Sequence, residues 1–260
     1  MILHINVHLH YHLAQPTDLL LQVEAADSGG QRLVRADIGL SETEHFSRVG
    51  AEQGLGERIW LRGNGDFLCD YSARIKIDRP AAEIGSLGAV APHLLPADTV
   101  RYLMPSRYCP CDELQSFVSA EFGQHSGGAR IAAMRDWIRD KFQYVVGSST
   151  GQTTALDTFV QRQGICRDFA HVMICLARAS AIPARFASVY APDVTPPDFH
   201  AMAEVFLDDA WHLVDATGMA QADAAAIIGV GLDAAEVAFL SSYGPMQLIR
   251  QSVDVSVDRD

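Results

Sequence analysis

The chain has 260 residues, of which 48% are hydrophobic and 20% are charged. This composition excludes a disordered or fibrous protein and is sufficient for one large or two ordinary folded domains. The net charge of −12 disfavours nucleic acid as a partner, because phosphate groups would be repelled.

The N-terminus lacks a signal-peptide pattern, and no stretch is long and apolar enough to cross a bilayer. We therefore expect a cytoplasmic protein with no membrane partner.

The first hundred residues are rich in short strand patterns. From Ile2 to Tyr11, apolar residues alternate with histidine or asparagine, which predicts a strand with one buried face. Further strands are predicted at Thr17–Val23, Ile38–Leu40, Glu57–Leu61 and Phe67–Ile77, with turn-forming residues at 28–30 and 63–66. Residues 1–110 are thus predicted to form a small antiparallel β-sandwich domain.

Four histidines share the polar face of the first predicted strand, namely His4, His8, His10 and His12. Their spacing is not that of a closed zinc site, and neither is that of Cys109 and Cys111. We expect a solvated or interface strand, no metal and no cofactor. A binding or homo-oligomerising role for this domain is the corresponding hypothesis.

A Pro-rich stretch over residues 92–110 precedes the second predicted domain, residues 111–260. Helices are expected from Asp112, over Gly128–Phe142, and from Cys166 to a point before Pro183. Strands follow at Arg185–Tyr190, Ala201–Leu207, Trp211–Val214 and finally Leu248–Val257, with a hairpin turn at Asp208-Asp209. Helices followed by antiparallel strands indicate an α+β fold.

Cys166 stands at the predicted start of an amphipathic helix, two residues after Gly164. The positive end of a helix dipole favours the thiolate, which is the nucleophilic form of cysteine. The other four cysteines do not indicate a disulfide framework, and Cys69 and Cys175 are expected to be buried and inert.

A thiolate nucleophile needs a base, and His200 lies downstream where a Pro-rich loop meets a strand. The next predicted strand ends at Asp215, which a hairpin would bring beside His200 to orient the imidazole. Cys166, His200 and Asp215 are therefore the predicted catalytic triad. His171 is interpreted as a hydrogen-bonded core residue, and Asp168 as a charge at the helix N-terminus.

The sequence resembles the transglutaminase-like superfamily, and in particular bacterial cysteine peptidases of this group that carry an N-terminal β domain. The resemblance rests on three segments, Gly164-Ile165-Cys166-Arg167-Asp168-Phe169-Ala170-His171, His200-Ala201 and Trp211-His212-Leu213-Val214-Asp215-Ala216-Thr217, and on the later run from Gly231 to Ala238. It implies a papain-like core with Cys, His and Asp in this chain order. Met202 and Ala216 stand where members commonly have Trp and Pro, which implies a different cleft wall.

The leading functional hypothesis is a cysteine peptidase or amidase that hydrolyses a peptide or protein amide through an acyl-enzyme. The alternatives are transglutaminase-type transfer of the acyl group to an amine, and a non-catalytic binding module. An oxyanion hole would use the backbone N–H of Cys166 and a second donor, for which Tyr144 and Gln152 both remain open.

Overall fold

The computed structural model describes residues 1–258, so positions 259 and 260 of the predicted second domain lie outside the described residues. The strands are β1 (Ile2–Leu21), β2 (Gln31–Leu40), β3 (His45–Gly50), β4 (Glu57–Ile77), β5 (Gln143–Tyr144), β6 (Gln163–Gly164), β7 (Ala184–Tyr190), β8 (His200–Leu207), β9 (Ala210–Val214), β10 (Ala226–Gly231), β11 (Leu240–Ser242) and β12 (Met246–Val257). The α-helices are α1 (Gln115–Phe122), α2 (Gly127–Lys141), α3 (Ala155–Gln161) and α4 (Cys166–Ala179). Helices together with antiparallel sheets confirm the predicted α+β class.

The N-terminal sheet is built on two long strands, β1 and β4, which pair over most of their lengths. Alternate residues of β1 are buried, because successive side chains of a strand point to opposite faces. The predicted turn at residues 63–66 is wrong, since β4 continues through it. The register shifts there instead, between Leu13 and Thr17, and Gly65 has a φ of +72°.

The C-terminal strands return to this same sheet. β11 and β12 both pair with the edge of β1 that faces away from β4. β12 pairs with the first half of β1, and β11 pairs with the C-terminal end of β1. Apolar side chains from the whole length of β1 and β4 form one buried cluster. Tyr190 and Ile228 of the second sheet also belong to this cluster. The division into residues 1–110 and 111–260 stays a prediction, and residues from both ends of the chain complete the β domain.

The histidine face of β1 is paired with carboxylates. His8 Nδ1 lies 2.7 Å from Asp70, and His12 Nδ1 lies 3.1 Å from Asp66. Among residues 1–258 no group of three or more histidine, cysteine or acidic side chains is placed to hold a metal ion. Within the same residues, no helix has the length and apolar character needed to cross a membrane.

The second sheet has the order β10-β7-β8-β9, and α4 packs against β7 and β8. The predicted buried residues of α2 are confirmed by Ile131, Met134 and Ile138, which belong to the same core as α4. This packing fixes the start of α4 relative to β8, the two elements on which the candidate site is built.

A buried ion pair joins β7 to β8. Arg185 Nε donates to Glu204 Oε2 at 2.7 Å, both side chains are 4% exposed, and the guanidinium lies over the ring of Trp211. We expect Glu204→Ala to lower the free energy of unfolding by about 3–5 kcal/mol, because the substitution leaves a buried charge without its partner.

Denaturant unfolding measures this change. Lys76→Ala is the control: its pair with Asp78 is exposed, and exposed pairs contribute little to stability. Equal unfolding free energies for the wild type and Glu204→Ala would contradict the prediction.

Candidate active site

Cys166 is the first residue of α4, as predicted. Asp168 stabilises this helix start, because its Oδ2 accepts the backbone N–H of Ile165 at 2.9 Å. Only glycine fits at position 164, since a Cβ there would lie 2.7 Å from Cβ of Asp168. The predicted role of Asp168 as a charge at the helix N-terminus agrees with this geometry.

His200 is the first residue of β8, at the open end of the β8–β9 hairpin, and it is buried. The hairpin turns at Asp208 and Asp209, whose φ values of 45° and 59° match the turn predicted there. β9 ends at Val214, opposite Ala203, so that the next residue, Asp215, reaches His200. His200 Nε2 lies 3.1 Å from Asp215 Oδ2.

Asp215 is held by four donors. Its Oδ1 accepts from the backbone N–H and the hydroxyl of Thr217, and its Oδ2 accepts from His200 and from the backbone N–H of Ala220. Burial alone raises the pKa of Asp215, but these hydrogen bonds and the charge of His200 outweigh it and hold the pKa below its usual value. Asp215 therefore stays ionised and fixed in position beside the imidazole.

The other ring nitrogen of His200, Nδ1, is buried and makes no hydrogen bond within residues 1–258. Burial alone lowers the pKa of His200, but contacts with Asp215 and with the Cys166 thiol outweigh it and raise the pKa to about 9. Because Nε2 is engaged by Asp215, Nδ1 is the nitrogen left to exchange a proton with the thiol.

Cys166 and His200 both line a cleft of about 440 Å³. Its walls are mainly apolar and aromatic, and Phe199 stacks on Phe239 with ring centroids 4.3 Å apart. Of the five cysteines, Cys166 is the one that is not buried. The cleft therefore gives a ligand access to this thiol.

The two candidates for a second oxyanion donor lie in different places. Tyr144 lines the cleft, because β5 pairs in parallel with β6 and sets Tyr144 opposite Gly164, close to Cys166. Burial and the adjacent Cys166 raise the pKa of Tyr144, so that the hydroxyl keeps its proton. Gln152 is exposed and does not line the cleft.

Met202, which stands where members of the family commonly have Trp, does not line the cleft. It is buried in a separate apolar cluster with Ala187 and Leu213. The position that carries Trp in many relatives therefore packs inside this protein, and the wall is formed by other residues, Tyr108, Phe186, Phe199 and Phe239 among them.

His171 is buried in the core, as predicted, and packs against Tyr108, a residue of the cleft wall. Its Nε2 accepts the backbone N–H of Ala234 at 3.2 Å, and its ring stacks on Tyr108. Burial lowers the pKa of His171 to about 3, which keeps the ring neutral. Its Nδ1 makes no hydrogen bond within residues 1–258.

The remaining cysteines are structural. Cys69 in β4 and Cys175 in α4 are buried, and burial raises the pKa of Cys69 to about 12. Cys111 begins a short 3₁₀ segment, Cys109 lies in the irregular chain just before it, and both are buried too.

The family model described as the transglutaminase-like superfamily matches residues 117–216. The structure of a candidate cysteine protease from Cytophaga hutchinsonii is 30% identical, with a TM-score of 0.94, and the alignment covers 100% of this chain and 92% of that one. The periplasmic domain of TgpA from Pseudomonas aeruginosa has a TM-score of 0.43 and 19% identity, over 82% of this chain and 76% of that chain.

An uncharacterized protein of Mycobacterium leprae is 30% identical over 89 residues, or 34% of this chain. The match spans 32% of that curated relative's length. The Cytophaga hutchinsonii structure matches the whole length of this chain, and the family model matches its central part. The chain therefore belongs to the transglutaminase-like superfamily.

Proposed function

We propose that this protein is an amide hydrolase, a cysteine peptidase or amidase, that acts through an acyl-enzyme on Cys166. The observation that carries the proposal is the arrangement of three side chains. Cys166 and His200 line one cleft, and Asp215 holds the far side of the His200 ring at 3.1 Å. This order of thiol, imidazole and carboxylate is the one that nucleophilic acyl transfer requires.

In the first half-reaction, the Cys166 thiolate attacks the carbonyl carbon of the amide and a C–S bond forms. The electron pair of the carbonyl moves to its oxygen. As the tetrahedral intermediate collapses, the C–N bond breaks and the His200 imidazolium gives the Nδ1 proton to the leaving amine. A thioester on Cys166 and a neutral His200 remain.

In the second half-reaction, neutral His200 takes a proton from water through Nδ1 while the water oxygen attacks the thioester. Collapse of the second intermediate breaks the C–S bond. The carboxylic acid leaves, and the thiolate and imidazolium are restored. Asp215 stabilises the imidazolium in both halves without giving up its charge.

Tyr144 supplies the second oxyanion donor in this mechanism, beside the backbone N–H of Cys166. We expect Tyr144→Phe to lower kcat by about 10- to 100-fold with little change in KM, because a donor of this kind acts mainly in the transition state.

Steady-state kinetics on a cleaved peptide measures the effect of Tyr144→Phe. The matched control is Tyr243→Phe, since Tyr243 is exposed and does not line the cleft. If Tyr144→Phe changes KM alone, the hydroxyl binds substrate instead of stabilising the oxyanion.

Hydrolysis is favoured over transfer to an amine by the likeness to the Cytophaga hutchinsonii protein, a candidate cysteine protease matched along the whole chain. A protein or peptide amide is accordingly the proposed substrate. Both reactions share the same acyl-enzyme, so the fate of the thioester distinguishes them.

The experiment is incubation of a peptide library containing glutaminyl residues, with and without an isotope-labelled primary amine, followed by mass spectrometry. The proposal expects backbone cleavage or side-chain deamidation, with Cys166→Ala inactive. Incorporation of the labelled amine as the main product would replace hydrolysis by acyl transfer.

A further inference from the structure

Of the charged side chains that line the cleft, one is paired with an opposite charge and another is not. Besides the catalytic histidine, two charged side chains line it, Arg167 and Asp198. Arg167 donates to Asp168 Oδ1 at 2.8 Å and to the carbonyl of Thr150 at 2.8 Å. The Asp168 side chain is fully buried, so the charge of Arg167 is matched by a fixed carboxylate.

Asp198 has no such partner. Its Oδ1 accepts the backbone N–H of Phe199 at 2.8 Å and Nε2 of Gln251 at 2.7 Å. Both donors are neutral, and no ion pair is formed by this carboxylate within residues 1–258. These bonds hold a full negative charge at the rim of the cleft, two residues before His200.

The influence of this carboxylate extends into the cleft. Burial is the main cause of the raised pKa of Tyr144, and the charges of Cys166 and of Asp198 add to it. A carboxylate that acts on the Tyr144 hydroxyl also acts on a substrate group bound beside that hydroxyl.

The surface beyond Asp198 carries the same sign of charge. A neighbouring cavity of about 320 Å³ shares Asp198 and Val194 with the cleft, and it is also lined by Asp193 and Asp254. Lysine and arginine are absent from its lining. A peptide that leaves the cleft in this direction therefore passes three carboxylates.

We propose that Asp198 is a specificity determinant that selects substrates with a positively charged side chain or amine next to the scissile amide. This inference rests on the proposed function, because the cleft must be the place where the substrate binds. The apolar walls accept the uncharged part of the substrate, and Asp198 pairs with the cation at the rim. Anionic substrates are repelled by the same charge.

The test uses thiol reagents that differ in charge, so that no substrate needs to be known. Cys166 is modified with a trimethylammonium-ethyl and with a sulfonato-ethyl methanethiosulfonate, which are a cation and an anion of similar size. The measured quantity is the ratio of the two second-order rate constants. Cys166→Ala gives the background, and the neutral reagent iodoacetamide reports the intrinsic reactivity of the thiol.

We expect the wild type to favour the cationic reagent, and Asp198→Asn to lower the ratio roughly fivefold. Asparagine keeps an oxygen for Phe199 and Gln251, so the loop should be preserved. The matched control is Asp193→Asn, which removes the same charge from a residue that lines the neighbouring cavity alone. Asp193 has a φ of 68°, which asparagine tolerates. The ratio should change less than twofold in this control.

An unchanged ratio in Asp198→Asn overturns the inference, and so does an equal fall in both variants, which would reflect net charge alone. Near 1 M salt, where the screening length is about 3 Å, the wild-type preference should shrink. Failure of the proposed function appears differently, as slow iodoacetamide alkylation in every variant, whatever the ratio.

Discussion

Asp215→Asn is expected to lower kcat by about 10³- to 10⁴-fold. Asp215 Oδ2 faces Nε2 of His200, and in the proposed mechanism its charge stabilises the imidazolium. An asparagine is neutral, and its amide group must also face the donors Thr217 and Ala220 that now bind the carboxylate. The imidazole therefore loses both its preferred tautomer and its counter-charge.

Peptide hydrolysis is the measurement for Asp215→Asn, together with an unfolding curve to establish that the variant folds. Asp209→Asn is the matched control, because Asp209 lies in the same hairpin at an exposed position whose positive φ asparagine tolerates. A folded Asp215→Asn variant with near wild-type kcat would remove Asp215 from the mechanism.

His200→Ala is expected to have the largest effect of any single change outside Cys166, a loss in kcat of about 10⁴-fold or more. In the proposed mechanism, the variant lacks the group that holds the thiolate, protonates the leaving amine and activates water. His212→Ala is the control. His212 lies in the adjacent strand β9, and its Nε2 lies 3.1 Å from the carbonyl of Leu207, outside the cleft.

In the proposed mechanism, the raised pKa of His200 also sets the pH dependence of the reaction. With a pKa of about 9, His200 stays protonated at neutral pH and loses its proton as the pH rises through 9. Because the leaving amine needs that proton, the rate of acylation should decline above about pH 9. A decline centred near 6.5, the ordinary pKa of histidine, would contradict the assigned environment of His200.

Much of the candidate site could be predicted from local sequence. A glycine before Cys166, an amphipathic pattern after it and a hairpin between His200 and Asp215 each specify a local structure. The structure places these residues together, although their catalytic role stays a proposal. The alternating burial along β1 and the row of buried residues on α2 could also be predicted, because each pattern has the period of a single strand or helix.

The parts that were missed depend on contacts between distant segments. The glycines at 63 and 65 look like a turn, yet pairing with β1 carries β4 through them. The choice of Tyr144 over Gln152 depends on the parallel pairing of β5 with β6, which no periodicity indicates. In the same way, Met202 is directed into the core by the sheet, and Phe239 enters the cleft from a late segment.

The central claim is that His200 takes the proton of the Cys166 thiol and so activates it as the nucleophile. The most direct measurement is the rate of iodoacetamide alkylation of Cys166 as a function of pH, in the wild type and in His200→Ala. An unassisted thiol with a pKa of about 8.5 loses nearly tenfold in thiolate for each pH unit below it. We predict that at each pH from 6 to 8 the wild type is alkylated faster than His200→Ala, because only the wild type has a base beside the thiol. Equal rates in the two proteins would contradict the account.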